Sequence, residues 1–456
     1  MPEIVIEETK LAQNQLTSKI KVPYKFRKYL KTNEYFAIYD ANIESDKSFL
    51  NIPPLATILP LAWLTGSDIL VDKLDRGFKE SADKVMQVFS QIYQTRFTTQ
   101  IIVEELIDNQ PKKLETGNNT ALLFSGGADS TYSLISNIDL RPKNIMIWGV
   151  DGYPYPKHSA YWEKVYTTYK NYLEERGLVF YTIKSNPLEI LHERRIEHKY
   201  HKVLQDGVLW ARIQHSLILL PITAPLSVNH FNTLLIASST YPEFPRELFP
   251  YGSEPFIDEQ ITWSGVTVKH DGYIPKEEKI FTLIKNHYQS DQLILRVCMN
   301  REKAPISFNC GNCEKCYRTI IPLLLAGVDP NKCGFTFDAS SFEKLKRFIM
   351  EEKFPPVDLL LWEPLQSHAE KVFKQSYSPE VADFFKWFAI QELKRQDFDN
   401  FRNIYYDLPF PLAKLLDEVY TIIGINIHDP APLPSTQAYR NESVIRDQNT
   451  SMNSER

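Results

Sequence analysis

The segment that most constrains the fold is residues 122–130, where a short apolar run, Leu-Leu-Phe, leads into a glycine turn. The next residues, 131–135, have the apolar spacing of a helix. The segment therefore predicts a strand, a tight turn and the start of a helix. Such a turn presents backbone N–H groups at the positive end of a helix, where phosphate groups bind.

The residue types in this turn suit an anion. Gly126 and Gly127 let the backbone approach a ligand closely, and Ser125 and Ser130 add hydroxyl donors. Asp129 is unusual in a phosphate site, because a carboxylate repels phosphate unless it binds Mg²⁺ or caps the turn. No Gly-Lys-Ser/Thr follows, so this is not a Walker loop. An ordinary Gly-Gly turn is the alternative.

Strands and helices alternate after residue 118, which predicts an α/β domain with a parallel sheet and helices on both faces. The predicted strands are 121–124, 144–150, 178–183 and 233–237. Ligands bind beyond the carboxyl ends of such strands. We therefore expect residues 125–130, Asp151 and residues 238–240 to surround one crevice.

The rest of the chain is divided where the pattern changes. We expect a small α+β domain at 1–117, the phosphate-binding α/β domain at 118–335, a helical region at 336–427 and a disordered tail at 428–456. The first domain has predicted strands at 4–6, 20–22, 35–39 and 100–104 and a helix at 82–93. The helical region has predicted helices at 341–350, 359–377, 379–395 and 411–423, with Val381, Phe384, Phe385 and Phe388 in its core.

Composition limits the partners. The formal net charge of −5 argues against an extensive nonspecific nucleic-acid surface, although it leaves room for a local basic groove. We expect no window long and apolar enough to span a bilayer, and the acidic, alternating start is not a signal peptide. These features predict a cytoplasmic protein without a membrane partner.

Four of the five cysteines are close in sequence: Cys298, Cys310, Cys313 and Cys316. Two C-x-x-C steps that share Cys313 cannot all be disulfides with sensible geometry, but they suit tetrahedral thiolate ligation. We expect structural Zn²⁺, because four protein ligands leave no open position. An iron–sulfur cluster and a chance cluster of buried thiols are the alternatives. Cys333 is expected in the core, and Arg296, Lys315 and Arg318 are expected to offset the negative charge of the thiolates.

The Ser-Gly-Gly-x-Asp-Ser motif at 125–130 resembles the signature of the PP-loop ATP pyrophosphatases, which cleave ATP between the α and β phosphates. Together with the cysteine motif at 295–298 and 309–319, it makes residues 118–325 similar to the QueC-like branch (7-cyano-7-deazaguanine synthases). The greater length, the wider first cysteine gap and the added terminal regions resemble the QueC-like proteins of anti-phage operons (Qat and type IV CBASS).

The resemblance implies an ATP-dependent ligase that adenylates 7-carboxy-7-deazaguanine, releases pyrophosphate and transfers the product to an amine of a protein partner encoded in the same operon. The alternatives are nitrile synthesis with ammonia, a tRNA-modifying PP-loop enzyme, and a nucleotide-binding scaffold without turnover. The acidic balance argues against a nucleic-acid partner. A Ser-His-Asp hydrolase is not expected, because no nucleophile elbow occurs.

The resemblance also implies ligands for ATP, Mg²⁺ and the deazaguanine. The β,γ-phosphates and Mg²⁺ would be bound by Ser125, Gly126, Gly127, Asp129 and Ser130. Phe124 and Val150 would flank adenine, with Asp151 near the nucleoside. The deazaguanine would be bound by the strand-end Ser238 and by the loop residues Tyr241, Gly252 and Ser253.

Further candidates come from position alone. His215 lies on a helix predicted at 207–220 and facing the crevice, where it would bind a carboxylate or act as a base, unless it is a core histidine. Lys276 and Lys279 lie near the start of a predicted helix, where cations are unfavourable. We expect one of the two lysines to reach the triphosphate, and Lys279 is our catalytic candidate. The alternative is that both are solvated surface lysines. We expect His192, His198 and His201 to be solvated.

Overall fold

The structure is a computed structural model that describes residues 3–112, 114, 119–150, 159–247, 249–287, 293–298, 308–372, 378–395 and 405–422. Asp151 and the tail predicted at 428–456 lie outside the described residues. The domain boundaries in our division remain a prediction.

The described strands form one sheet. In chain order they are β1 (Glu3–Ala12), β2 (Gln15–Lys21), β3 (Glu34–Tyr39), β4 (Asp68–Asp75), β5 (Ile101–Ile107), β6 (Thr120–Leu123), β7 (Lys143–Trp148), β8 (Phe180–Ser185), β9 (Thr233–Ala237) and β10 (Thr267–Asp271). Their order across the sheet is β10-β9-β6-β7-β8-β3-β2-β1-β4-β5. Neighbours from β10 to β8 are all parallel, and β3 joins this half to the N-terminal half by antiparallel pairing with β8.

The α-helices of the described residues begin and end as follows: α1 (Lys47–Leu50), α2 (Ile52–Thr65), α3 (Arg76–Ile92), α4 (Ala128–Ser136), α5 (Ser159–Glu174), α6 (Pro187–Ile190), α7 (Glu193–Tyr200), α8 (His215–Leu219), α9 (Ala224–His230), α10 (Pro255–Asp258), α11 (Lys276–His287), α12 (Glu314–Leu325), α13 (Ala339–Glu351), α14 (Pro356–Val372), α15 (Pro379–Phe388) and α16 (Phe410–Ile422). A π-helical turn, Trp210–Gln214, precedes α8. The mostly parallel sheet with these helices confirms the predicted α/β class.

Helix α2 was not expected, because its sequence contains three prolines. Pro53 and Pro54 lie in the first turn, where the missing N–H costs little, and Pro60 is accommodated inside a fully buried segment. By length and composition, Lys47–Thr65 is the one described helical stretch that would be able to cross a membrane, contrary to our expectation of none. Because 89% of that window is buried within the protein, we interpret it as a core helix.

The C-terminal helices confirm the predicted aromatic core but contact histidines that we expected to be solvated. Phe384, Phe385 and Phe388 are buried, and Val381 is partly buried against the same core, which confirms the core stripe. The solvated histidines are a wrong prediction: the His198 ring is hydrogen-bonded to the Leu408 carbonyl (2.9 Å), and the His201 ring stacks on Tyr406 with centroids 4.2 Å apart. These partners come 205 to 210 positions later in the chain, so local sequence patterns do not reveal them.

The order of the strands creates a switch point at β6. The chain leaves β6 through α4 towards β7 and β8 on one side, whereas β9 and β10 lie on the other side. Connections that diverge from neighbouring parallel strands leave a crevice beyond their carboxyl ends. The glycine turn at 125–127 follows β6 and therefore lies at this crevice.

Candidate functional site

A cavity of about 210 Å³ opens at the ends of β6, β7 and β9. Its lining combines apolar side chains with polar side chains, several of which are cationic. The apolar set includes Phe124, Met146, Ile147, Val150, Leu219 and Ile236, and the polar set includes Ser125, Asp129, Ser130, His215, Lys276, Arg296 and Lys315. Apolar walls with a few convergent polar groups are typical of a small-molecule site.

The turn between β6 and α4 is shaped by its own serines. The Ser125 N–H donates to Ser130 Oγ (3.2 Å), and the Gly127 N–H contacts Ser125 Oγ at 3.3 Å. Helix α4 then begins at Ala128 without a side-chain cap. The first turn of an uncapped helix offers N–H groups to an anion, so the loop is suited to phosphate.

Gly126 is held between two neighbouring segments. Its φ is +74°, and its carbonyl accepts hydrogen bonds from the Tyr169 hydroxyl (3.0 Å) and the Arg296 N–H (2.8 Å). A Cβ added here would lie 2.2 Å from the Tyr169 ring. Glycine is therefore required both for the left-handed backbone and for the close approach of Tyr169.

We expect Gly126→Ala to abolish measurable ATP binding, because the loop must move away from Tyr169 and Arg296. Gly327→Ala is the matched control, since Gly327 also has a positive φ (+75°) but nothing lies within 4 Å of an added Cβ. Titration calorimetry with ATP tests both variants. Equal ATP affinities in the two variants would show that the contact with Tyr169 does not define the loop.

Asp129 lies between two lysines of α11. Its Oδ1 accepts a hydrogen bond from Lys279 Nζ (2.8 Å), and its Oδ2 lies 3.4 Å from Lys276 Nζ. Lys279, whose side chain is only 1% exposed, also donates to the Ser238 carbonyl (2.7 Å). Burial alone would raise the pKa of Asp129, but Lys276 and Lys279 hold that pKa well below its usual range. Asp129 is therefore ionised at neutral pH.

Lys276 loses its positive charge at a lower pH than an ordinary lysine does. Burial lowers the pKa of Lys276 below its usual 10.5, and this effect exceeds the opposing attraction of Asp129. Because Lys276 lines the cavity, its ammonium group would face a bound anion. The positive charge offered to that anion is lost as the pH rises through the lowered pKa.

We expect ATP affinity to weaken as the pH rises from neutral towards the ordinary lysine pKa of 10.5, because Lys276 loses its proton before an ordinary lysine does. Lys276→Arg should bind ATP with little loss at the alkaline end, since a guanidinium stays charged. ATP binding measured across this range in both proteins checks the prediction. Superimposable pH profiles would exclude Lys276 as the titrating group.

The four clustered cysteines form a compact set of sulfur ligands. All four Sγ atoms lie within 4.8 Å of one another, with separations of 3.9 Å for Cys298–Cys313 and 3.9 Å for Cys310–Cys316. Tetrahedral zinc with Zn–S bonds of about 2.3 Å separates its sulfurs by about 3.8 Å. The cluster could therefore hold a metal ion such as zinc.

The backbone around the cluster is set by Asn309. This buried side chain accepts hydrogen bonds from the N–H groups of Val297 (2.9 Å) and Cys298 (3.1 Å) and donates to the Leu295 carbonyl (2.8 Å). The same segment carries Arg296, whose N–H donates to the Gly126 carbonyl in the glycine turn (2.8 Å). The cysteine cluster and the glycine turn are thus connected through one short piece of chain.

Most of the predicted nucleotide ligands meet at the cavity. Its lining includes Phe124, Ser125, Gly127, Asp129, Ser130 and Val150. His215, the candidate base, also lines it. Gly126 lies outside the lining, packed against Tyr169. Lys279 is buried beneath Asp129 rather than solvated, which excludes the surface-lysine alternative for that residue.

The predicted deazaguanine ligands lie elsewhere. Ser238 is buried and its hydroxyl donates to the Thr240 carbonyl (2.8 Å), whereas Ser239 lines the cavity. The Tyr241 hydroxyl donates to the Leu360 carbonyl (3.1 Å). The Ser253 hydroxyl donates to the Asp258 carboxylate (2.8 Å). The Gly252 N–H donates to the Ala211 carbonyl of the π-helical segment (2.7 Å). None of these four residues is among those that line the cavity as described.

Two cations of the cavity lining have a different position from the one expected from the sequence. Arg296 and Lys315, which we associated with the charge of the thiolates, both line the cavity. The Arg296 guanidinium also donates to the Tyr161 hydroxyl (3.0 Å), which fixes its direction. Their positions close to the cysteines in sequence were the only sign that they belong to a site. Sequence spacing does not show that their side chains point towards the cavity.

Comparison with known proteins returned no relative. No family model matches the chain, and no curated protein or solved structure matches it.

Proposed function

We propose that this protein is an ATP-dependent ligase of the QueC-like PP-loop type. It adenylates the carboxylate of a 7-deazaguanine, releases pyrophosphate and transfers the acyl group to an amine of a protein partner, in anti-phage defence. The observation that carries the nucleotide half is the glycine turn at the switch point, with Asp129 held between Lys276 and Lys279. The deazaguanine, the amine and the defence role are supported by the resemblance in sequence.

The charges at the cavity suit a polyphosphate. Lys276, Arg296 and Lys315 supply positive charge, and the one described carboxylate in the lining is Asp129. Magnesium bound to ATP needs only one or two carboxylates besides the phosphates, so Asp129 suffices as its protein ligand. When bound, Mg²⁺ would neutralise charge on the phosphates.

The chemistry follows from activation of a poor acyl donor. A carboxylate oxygen attacks the α-phosphorus of ATP, the bond to the bridging oxygen breaks, and pyrophosphate leaves. An amine then attacks the acyl carbon, loses a proton and displaces AMP. The protein would contribute mainly position and electrostatic stabilisation: the loop and the lysines would hold the phosphates, and His215, which lines the cavity, would accept the proton of the amine.

The apolar lining suits a purine. Phe124 and Val150, together with residues of β7 and β9, supply apolar contact for a nucleobase. Since the predicted deazaguanine ligands do not line this cavity, we assign the apolar part to adenine.

The test is ATP turnover followed by mass spectrometry, with 7-carboxy-7-deazaguanine, with and without ammonia, and with the operon partner. We expect AMP and pyrophosphate that depend on the deazaguanine, and a mass increase on the partner. Formation of the nitrile with ammonia would favour the free synthase. ATP binding without AMP under every condition would favour a scaffold.

Two serines of α4 provide a matched pair for this assay. Ser130→Ala removes the hydroxyl that orders the turn and should lower the rate of AMP formation about tenfold or more. Ser136→Ala changes an exposed serine at the other end of the same helix and should retain the rate. Equal rates in the two variants would contradict the role of the loop.

A further inference from the structure

A concentrated basic surface lies away from the cavity, on the 3₁₀ helix Tyr24–Tyr29 and its flanks. Residues 19–33 contain no acidic residue and six cations: Lys19, Lys21, Lys25, Arg27, Lys28 and Lys31. The formal net charge of the whole chain is −5. The segment is therefore locally basic, but its first two cations pair with strand β1: Lys19 lies 3.1 Å from Glu8 and Lys21 lies 3.5 Å from Glu7.

The helix presents its charges outward because its aromatic residues anchor it. Phe26 and Tyr29, three positions apart on one side, are buried, and the Tyr29 ring packs against Tyr200 of α7 with centroids 6.1 Å apart. The intervening residues Arg27 and Lys28 are exposed, as is Lys25. The basic side is thus held by a packed core.

Three of these cations are available to a ligand. Among the described residues, Lys25, Arg27 and Lys28 form no ion pair, whereas Lys31 pairs with Glu189 at 3.9 Å. The end of the helix is fastened to the segment that enters α7, because the His192 N–H donates to the Tyr29 carbonyl (2.7 Å). Helix α7 and the turn after it carry two more exposed lysines, Lys199 and Lys202.

An exposed aromatic ring lies among these cations. Tyr24 is 85% exposed, and the Arg27 guanidinium lies 5.6 Å from its ring centroid. Proteins that bind single-stranded nucleic acid combine such cations, which meet the phosphates, with aromatic rings on which bases stack. An acidic peptide would meet the cations but offers no row of bases to stack on the ring, and a membrane would need more exposed apolar surface than one tyrosine.

The surface lies at the same edge of the sheet as the cavity. Strand β2 is antiparallel to β3, and β3 is antiparallel to β8, so β2 ends at the edge where β6, β7 and β8 also end. Four strand spacings separate β2 from β6, which is about 20 Å. One bound strand would be able to extend from this surface towards the cavity.

We propose that Tyr24 and the cations Lys25, Arg27 and Lys28 form a binding surface for single-stranded nucleic acid. The negative net charge of the whole chain does not prevent this binding, because phosphates respond to local charge within about a Debye length. The proposal does not depend on the ligase activity. It is tested by binding alone.

The experiment measures fluorescence anisotropy of a fluorescein-labelled oligouridylate and a labelled oligothymidylate with the full-length protein at several salt concentrations. We expect binding that weakens with salt. The triple variant Lys25→Gln, Arg27→Gln, Lys28→Gln should bind at least tenfold more weakly, with a slope of log K against log salt that is smaller by about 2, since each phosphate contact contributes about 0.7.

The matched control removes the same charges elsewhere: Lys332→Gln, Lys344→Gln, Arg347→Gln, all exposed on or near α13. It should bind like the wild type. Tyr24→Ala should weaken binding about tenfold, and Tyr24→Trp should retain it, because stacking needs only a ring. Circular dichroism shows whether each variant is folded.

Three results would overturn the proposal. In the first, neither oligonucleotide binds. In the second, the triple variant and the control lose the same affinity. In the third, labelled polyglutamate or vesicles containing phosphatidylserine bind more tightly than the oligonucleotides and lose affinity in the triple variant, which would assign the surface to an acidic protein or a membrane.

Discussion

Asp129→Asn is expected to stop pyrophosphate release and also to destabilise the protein. Lys279 is buried with only Asp129 and a backbone carbonyl as described polar partners, so the variant leaves an uncompensated ammonium group. Removing one partner of a buried ion pair costs about 3 to 5 kcal/mol. The loss of the only described carboxylate in the cavity lining should reduce turnover at least about 100-fold. Urea unfolding and pyrophosphate release measure the two effects.

The two effects are separated by a second substitution. Adding Lys279→Met to Asp129→Asn removes the stranded charge, so stability should return to within about 1 kcal/mol of the wild type while turnover stays absent. The control is Asp139→Asn, which changes an exposed aspartate after α4. Wild-type pyrophosphate release by Asp129→Asn would refute the assignment of Asp129 to the nucleotide.

Loss of one ligand from the cysteine cluster should have the second large effect. Cys316→Ser is expected to reduce the metal content from one zinc per chain to nearly none and to lower the melting temperature by about 10 °C, because metal binding contributes directly to folding. ATP affinity should also weaken, since the segment that carries Cys298 holds Gly126 through Arg296. Elemental analysis, thermal melting and calorimetry measure these quantities.

Cys333→Ala is the matched control for this prediction. Cys333 is fully buried but lies outside the cluster, so the variant should retain its metal. Iron and sulfide in place of zinc would identify an iron–sulfur cluster instead. A protein that is purified without metal and melts at the same temperature with a chelator would contradict a structural metal site.

The elements predicted from the sequence are those with a local signal. The strand that became β6, the glycine turn and helix α11 follow from periodicity and residue type. Strand β4 was not predicted, because Asp72 and Lys73 interrupt its apolar pattern; both form ion pairs with other segments. Helix α2 was hidden by its prolines, which only the surrounding core makes acceptable.

Whatever depends on distant parts of the chain was beyond prediction. The pairing of β3 with β8, which continues the sheet across the predicted boundary at 117/118, joins strands that are remote in sequence. At the site, the sequence offered Lys276 and Lys279 as equals, and only burial assigns one to the interior and the other to the cavity. The same limit explains why Arg296 and Lys315 were associated with the cysteines.

The long span between Asp129 and its lysine has a consequence for synthesis on the ribosome. Lys279 follows Asp129 by 150 positions, and Arg296, which holds Gly126, comes later still. A nascent chain that has exposed only the glycine turn therefore lacks the groups that complete it, and closing so long a loop comes late in folding. The proposed nucleotide site should thus be complete only after translation has passed Arg296.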